Sequence, residues 1–148
     1  MTNRSGIMNP RINVITLGVK DIQRSKKFYE TMGFTASSVS NEHFIAFQTA
    51  GIVFCLYPLS LLAEDVTADS HGTGFRGITL AYTVSKKEEV QEILDQAKKS
   101  GATIVKQAQD VFWGGHSGYF ADLDEHLWEI AWNPHWPLEE NGLIKLPK

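Results

Sequence analysis

One cysteine, Cys55, stands among 148 residues, so no internal disulfide framework can exist. A lone thiol fits a reducing compartment, and the cytoplasm is the expected location. The chain also lacks a long apolar run: the longest, Gly51 to Leu62, is interrupted by Pro58 and Ser60, too short and too broken to cross a bilayer. The opening stretch, Met1 to Pro10, is polar, carries Arg4 and has no apolar signal core, which predicts a flexible N-terminal segment over 1–10. Charge of one sign is missing as well. Fourteen Lys and Arg face seventeen Asp and Glu, and the basic residues are scattered apart from pairs such as Lys26-Lys27 and Lys86-Lys87. A nucleic-acid partner is therefore not expected, nor, given the broken apolar run, a membrane one.

What is present is ordinary globular composition, 43% hydrophobic and 21% charged, in a length that suits one domain and one core. Ile12 to Val19 is rich in β-formers, and Asp21 follows as an N-cap for a helix that runs to about Met32 and stops at Gly33. Three short strand-like pieces come next, Thr35–Ser40, Phe44–Thr49 and Ile52–Tyr57, parted by Asn41-Glu42 and by Gly51. The second half repeats the order. Gly77 to Val84 predicts a strand, and Ser85 with Glu88 predicts a capping box. Val90, Ile93, Leu94 and Ala97 then recur at helical spacing before Gly101, a C-terminal glycine. Strands are expected at Thr103–Gln109, Gly118–Ala121 and His126–Trp132.

The chain is thus expected to be α+β, with two βαβββ modules over 11–58 and 76–132 inside one domain spanning 11–137. Residues 59–75, with Asp65, Asp69, Ser70, Gly72 and Gly74, have the composition of a linker. The tail over 138–148 follows Pro134 and Pro137 and should run over the surface, pinned by Trp136 and Leu143.

This order and its local motifs resemble the vicinal-oxygen-chelate superfamily of glyoxalase I, extradiol dioxygenases and bleomycin-resistance proteins, in its glyoxalase-like subgroup. Ile12-Asn13-Val14-Ile15-Thr16-Leu17-Gly18-Val19-Lys20-Asp21, with Ser25, Phe28-Tyr29 and Gly33-Phe34, is similar to the family's opening strand and helix. Phe120-Ala121-Asp122-Leu123-Asp124-Glu125-His126-Leu127-Trp128-Glu129 resembles its closing motif, with Leu123 and Glu125 in place of the motif's Pro and Gly. Trp113-Gly114-Gly115 and Trp132-Asn133-Pro134 resemble the subgroup. The resemblance implies modules that roll into an open, cavity-enclosing mixed sheet, a homodimer, and a small-molecule ligand.

The resemblance also implies four strand positions for a metal, and they fall at Val14, near Cys55, at or beside Thr79, and at Glu129. A catalytic divalent ion needs about three protein ligands and an open position. Only Glu129 is a ligand of the family's kind, so no metal cofactor is expected, though a weakly held divalent ion remains compatible with the set.

Alternation along His126–Trp132 sends Leu127, Glu129 and Ala131 to one face and Trp128, Ile130 and Trp132 to the other. Glu129 then points into the cavity and is the best catalytic candidate, no other being assigned. Cys55 in an apolar strand is expected to be a small buried hydrophobe rather than a reactive thiol. None of the five His has the paired spacing of a local metal site. The expected cavity lining is Val14, Thr16, Cys55, Tyr57, Thr79, Trp113, His116, Tyr119 and Glu129.

Three functions fit these observations. The first is a small-molecule binding protein without the family's metal. The second is a metal-dependent glyoxalase-like lyase or dioxygenase with a non-standard ligand set. The third is an interaction module whose cavity is filled, leaving Trp136 and the tail for a partner.

Overall fold

The computed structural model describes residues 8–146, so most of the N-terminal segment expected to be flexible lies outside the described residues. The chain runs β1 (Val14–Val19), α1 (Ile22–Thr31), β2 (Ile45–Gln48), β3 (Val53–Pro58), α2 (Leu59–Val66), β4 (Leu80–Thr83), α3 (Glu89–Lys99), β5 (Thr103–Asp110), β6 (His116–Ala121) and β7 (Leu127–Trp132). Two open mixed sheets result, ordered β1-β3-β2 and β4-β7-β6-β5. In each, the first strand of the module pairs in parallel with its last, β1 with β3 and β4 with β7, which is the duplication expected from sequence.

Both helices that carry the core form where periodicity places them. Asp21 caps α1, its carboxylate accepting the Arg24 N–H at 3.0 Å, and Gly33 continues beyond the helix at φ +108°. On α3 the stripe Val90, Leu94 and Ala97 is fully buried, and Gly101 takes φ +112°. Phe28 and Tyr29 of α1 lie between the sheets: Tyr29 meets Phe54 edge-on and approaches Trp128, while Phe28 approaches Phe120. One aromatic core thus serves both modules.

Four local expectations need correction. Thr35–Ser40 is no strand and keeps only the bridge of Ala36 to Phe47. Its serines satisfy backbone groups themselves: Ser37 Oγ accepts the Val39 N–H and Ser40 Oγ accepts the Ala46 N–H. Such local bonds compete with a ladder. Second, the expected linker begins with a helix, α2. It lies on the bare backbone of Gly18, where a Cβ would fall 2.8 Å from Leu59 Cδ1 and 3.3 Å from Leu62 Cδ2. Tertiary contact selects the helical reading of Leu59-Ser60-Leu61-Leu62.

Third, the capping box does not form. The chain turns through Lys86 and Lys87, α3 starts at Glu89, and the Ser85 hydroxyl donates to the Glu89 carboxylate at 3.0 Å instead. Finally, Trp136 and Leu143 do not pin the tail, both being exposed; the Leu138–Ile144 bridge folds it back on itself.

Candidate functional site

The faces of the C-terminal sheet divide by strand parity. Gly118, Phe120, Trp128 and Ile130 face α3, so closely that a Cβ on Gly118 would fall 2.6 Å from Leu94 Cδ1. Glu129 therefore stands on the outer face. Its register partners are Ala81 on β4 and Tyr119 on β6. The small side chains of Ala81 and Ala131 leave room around the carboxylate, and a concavity of about 490 Å³ opens there. It is lined by Trp113, Trp136, His135, Asn133 and Thr83 besides Glu129 and the two alanines.

Trp113 is held in place by what its loop lacks. The hairpin between β5 and β6 turns at Gly114 with φ +92°, and the space a Cβ would need on Gly115 is filled by the Trp113 indole and the Trp132 carbonyl. Any side chain at 115 displaces one of them. The adjacent Phe112 takes no part in this seat and is 99% exposed. Beside Glu129, the Tyr119 phenol is pushed above its ordinary value, first by burial and then by the charge of the Glu129 carboxylate and a hydrogen bond to it.

The structure brings together part of the expected lining. Trp113 and Glu129 share the concavity, and Tyr119 adjoins Glu129 across the ladder. Val14 and Thr16 stand on β1, with Cys55 and Tyr57 beside them on β3, in the other sheet. None of these four lines the concavity that holds Glu129. Thr79 is exposed and precedes β4 rather than belonging to it.

His116 does not line the concavity. It sits on the face opposite Ser117 and Tyr119, where its Nδ1 lies 2.9 Å from Asp110, which also accepts Lys87 Nζ at 2.9 Å. Lys87 and His116 hold the Asp110 carboxyl below its ordinary range. Trp136, His135, Asn133 and Thr83 went unanticipated as lining, although the parity that turns Glu129 and Ala131 to the outer face continues to Asn133.

Of the four positions implied for a metal, only Glu129 offers a donor of the expected kind. Val14 has no donor atom, and Thr79 offers a neutral hydroxyl outside the strand. Cys55 is 2% exposed, and burial pushes its thiol up, away from the thiolate a metal would require. Among the described residues, no three His, Cys, Asp or Glu side chains gather as a metal-holding group.

The closing motif has a second carboxylate with another task. Asp122 is buried; its Oδ1 accepts the backbone N–H groups of Asp124 and His126, each at 2.9 Å, and its Oδ2 accepts the Tyr29 hydroxyl at 2.5 Å. Asp124 reaches the same helix, accepting from the Lys20 N–H at 2.9 Å and the Ser25 hydroxyl at 3.1 Å. His126 Nε2 lies 2.8 Å from the Gly18 carbonyl and so donates to it. The turn is an interlock between modules. Glu125 takes φ +67° in it, where the family motif has Gly.

The described residues also form other concavities, two of them large. One, about 500 Å³, lies between Phe75, Ile78 and Arg76 of the segment before β4 and Ala121 and Leu127 of the same outer face. The other, about 390 Å³, lies on the inner side between Phe34, Met32, Tyr82 and Trp128.

Comparison with known proteins agrees with the architecture. The family model described as the Glyoxalase/Bleomycin resistance protein/Dioxygenase superfamily matches residues 11–130. The chain is 30% identical over 125 residues to the fosfomycin resistance protein FosX of Listeria monocytogenes, covering 78% of this chain and 84% of that one. Among solved structures it is similar to a glyoxalase-related enzyme from Fulvimarina pelagi, with TM-score 0.84 and 31% identity over 95% of this chain and 100% of that one. It also shares its fold with a lactoylglutathione lyase from Agrobacterium tumefaciens, at TM-score 0.63 and 18% identity, over 84% and 94% of the two chains.

Proposed function

The chain belongs to the Glyoxalase/Bleomycin resistance protein/Dioxygenase superfamily, and from that premise we propose a protein that binds a small organic molecule at the Trp113 concavity without the family's catalytic metal. One observation carries this reading. Glu129, alone of the four metal positions in being a carboxylate, faces a concavity whose other walls are largely aromatic or small, as ligand sites generally are. We propose a cytoplasmic homodimer in which the partner's first sheet completes the site. That would bring the partner's copies of Val14, Thr16, Cys55 and Tyr57, on β1 and β3, to a lining that holds Trp113, Tyr119 and Glu129, with Thr79 of the segment before β4 beside it. The open edges of β1 and β4 support such an arrangement.

Three measurements test the proposal. Light scattering at micromolar concentration should give about twice 16.6 kDa; a monomer throughout would leave the site half-built. Purified without added metal, the protein should carry far less than one equivalent of Zn, Ni, Fe or Mn, and Glu129→Gln should not change that content. Trp113→Ala should weaken a ligand found by screening by roughly 1 to 3 kcal/mol, as loss of an aromatic anchor does. A collapse of the melting temperature would instead make Trp113 a core residue.

A second reading, a metal-dependent enzyme of the lyase, dioxygenase or fosfomycin-resistance kind, has the 30% identity to FosX in its favour. Stoichiometric metal that disappears with Glu129→Gln would select it, as would fosfomycin resistance conferred on a susceptible bacterium. Among the described residues no helix is long and apolar enough to cross a membrane.

A further inference from the structure

We infer that the Trp113 concavity selects an organic cation, an ammonium or amidinium bearing a ring-sized substituent, over neutral or anionic molecules of the same shape. The inference rests on reading this concavity as the ligand site. Its lining includes two indoles, Trp113 and Trp136, and one carboxylate, Glu129. No Lys or Arg belongs to its lining. Glu129 forms no ion pair among the described residues, neither with His135 in the same concavity nor with Lys106, the register partner of Tyr119 one strand further on. Ala81 and Ala131 flank it without shielding it, and Tyr119 is a neutral phenol.

A partly buried carboxylate beside two indoles has lost part of its hydration without gaining a counter-ion, and an incoming cation restores the balance. The two indoles add to this, since Trp attracts a positive charge more strongly than Tyr or Phe. An anion would meet repulsion from Glu129 with no Lys or Arg in the lining to offset it. The seat of Trp113 over Gly115 holds that ring in place before any ligand arrives, which lowers the ordering cost of binding. The other concavity on this face differs in kind, for Arg24 and Arg76 border it.

The test is calorimetric titration of the full chain, in EDTA so that no metal occupies Glu129, with three probes of similar size: benzyltrimethylammonium, benzyl alcohol and phenylphosphonate. The ammonium should bind about tenfold or more tightly than the alcohol, and the phosphonate should not bind detectably. Trp136→Ala, which alters a half-exposed tail residue (46%) and should leave folding intact, should weaken the ammonium about five- to tenfold. Glu129→Gln should bring the ratio of ammonium to alcohol close to one. Equal binding of alcohol and ammonium, binding of the phosphonate, or a preference that survives Glu129→Gln would each overturn the charge selection. If any probe still bound in a Trp113-dependent way, the ligand site itself would stand. No Trp113-dependent binding of any probe, or of a fragment library, would remove the site as well.

Discussion

Asp122 and Glu129 lie seven residues apart in one closing motif, and the chain treats the two carboxylates in opposite ways. Asp122 is buried and accepts three hydrogen bonds, from Asp124, His126 and Tyr29. Glu129 is only partly buried, has small neighbours in Ala81 and Ala131, and makes no ion pair among the described residues. A carboxylate whose acceptor sites are filled by its own chain has nothing left for a ligand. Glu129, which takes a hydrogen bond from the Tyr119 phenol, still has acceptor sites for one. Motif membership does not separate these roles, whereas counting donors around each oxygen does.

Substitutions can break or sharpen this contrast, and the largest effect should come from Asp122. Asp122→Ala strands the Tyr29 hydroxyl and two backbone N–H groups, and urea unfolding should register a loss of about 3 to 5 kcal/mol. A loss under about 1 kcal/mol would mean the interlock contributes little. Tyr29→Phe removes one donor and should cost about 1 to 2 kcal/mol.

Tyr29 also makes a pH prediction. Burial first, and then Asp122, push its phenol well above the ordinary 10.0. A folded-state value above the unfolded one means the contribution is complete below pH 10.0 and fades as pH rises from there toward the folded value. The wild type should therefore lose stability on alkaline titration with a steeper slope than Tyr29→Phe.

A smaller effect, and a gain, is expected from Glu125→Gly. The left-handed backbone at φ +67° suits glycine, so thermal melting should show stabilisation of about 0.5 to 1 kcal/mol. The smallest effect belongs to Glu129→Gln, which should change unfolding free energy by no more than about 0.5 kcal/mol. A large destabilisation there would make Glu129 a structural residue like Asp122 and erase the contrast.

Much of the fold is legible in the order of residues alone. The Val90, Leu94 and Ala97 stripe, the Asp21 cap and the parity of β7 are local patterns, and local patterns dictate local outcomes. Helix α2 is not legible in this way, because Leu59-Ser60-Leu61-Leu62 is stabilised by the bare surface of Gly18, distant in sequence. The lost strand at Thr35–Ser40 depends on which groups its serine hydroxyls reach, and spacing does not reveal that. The site is legible in outline through Glu129 and Trp113. The tail's return beside Trp113, which brings in His135 and Trp136, follows no local rule. His116 is a different case: alternation alone places it and Tyr119, three residues apart, on opposite faces of β6.

The interlock also has a kinetic consequence. Its bonds join Gly18 to His126, Lys20 to Asp124 and Tyr29 to Asp122, separations of 108, 104 and 93 residues. During synthesis the first module emerges long before the turn that secures it, with Phe28, Tyr29 and Phe54 still missing Phe120 and Trp128. Contacts of such range are slow to form, because the loop must close before the bonds repay its entropy. An incomplete chain that stops short of Asp122 should expose this aromatic face and aggregate or bind chaperones, and the final docking of the turn against α1 should set the folding rate of the whole chain.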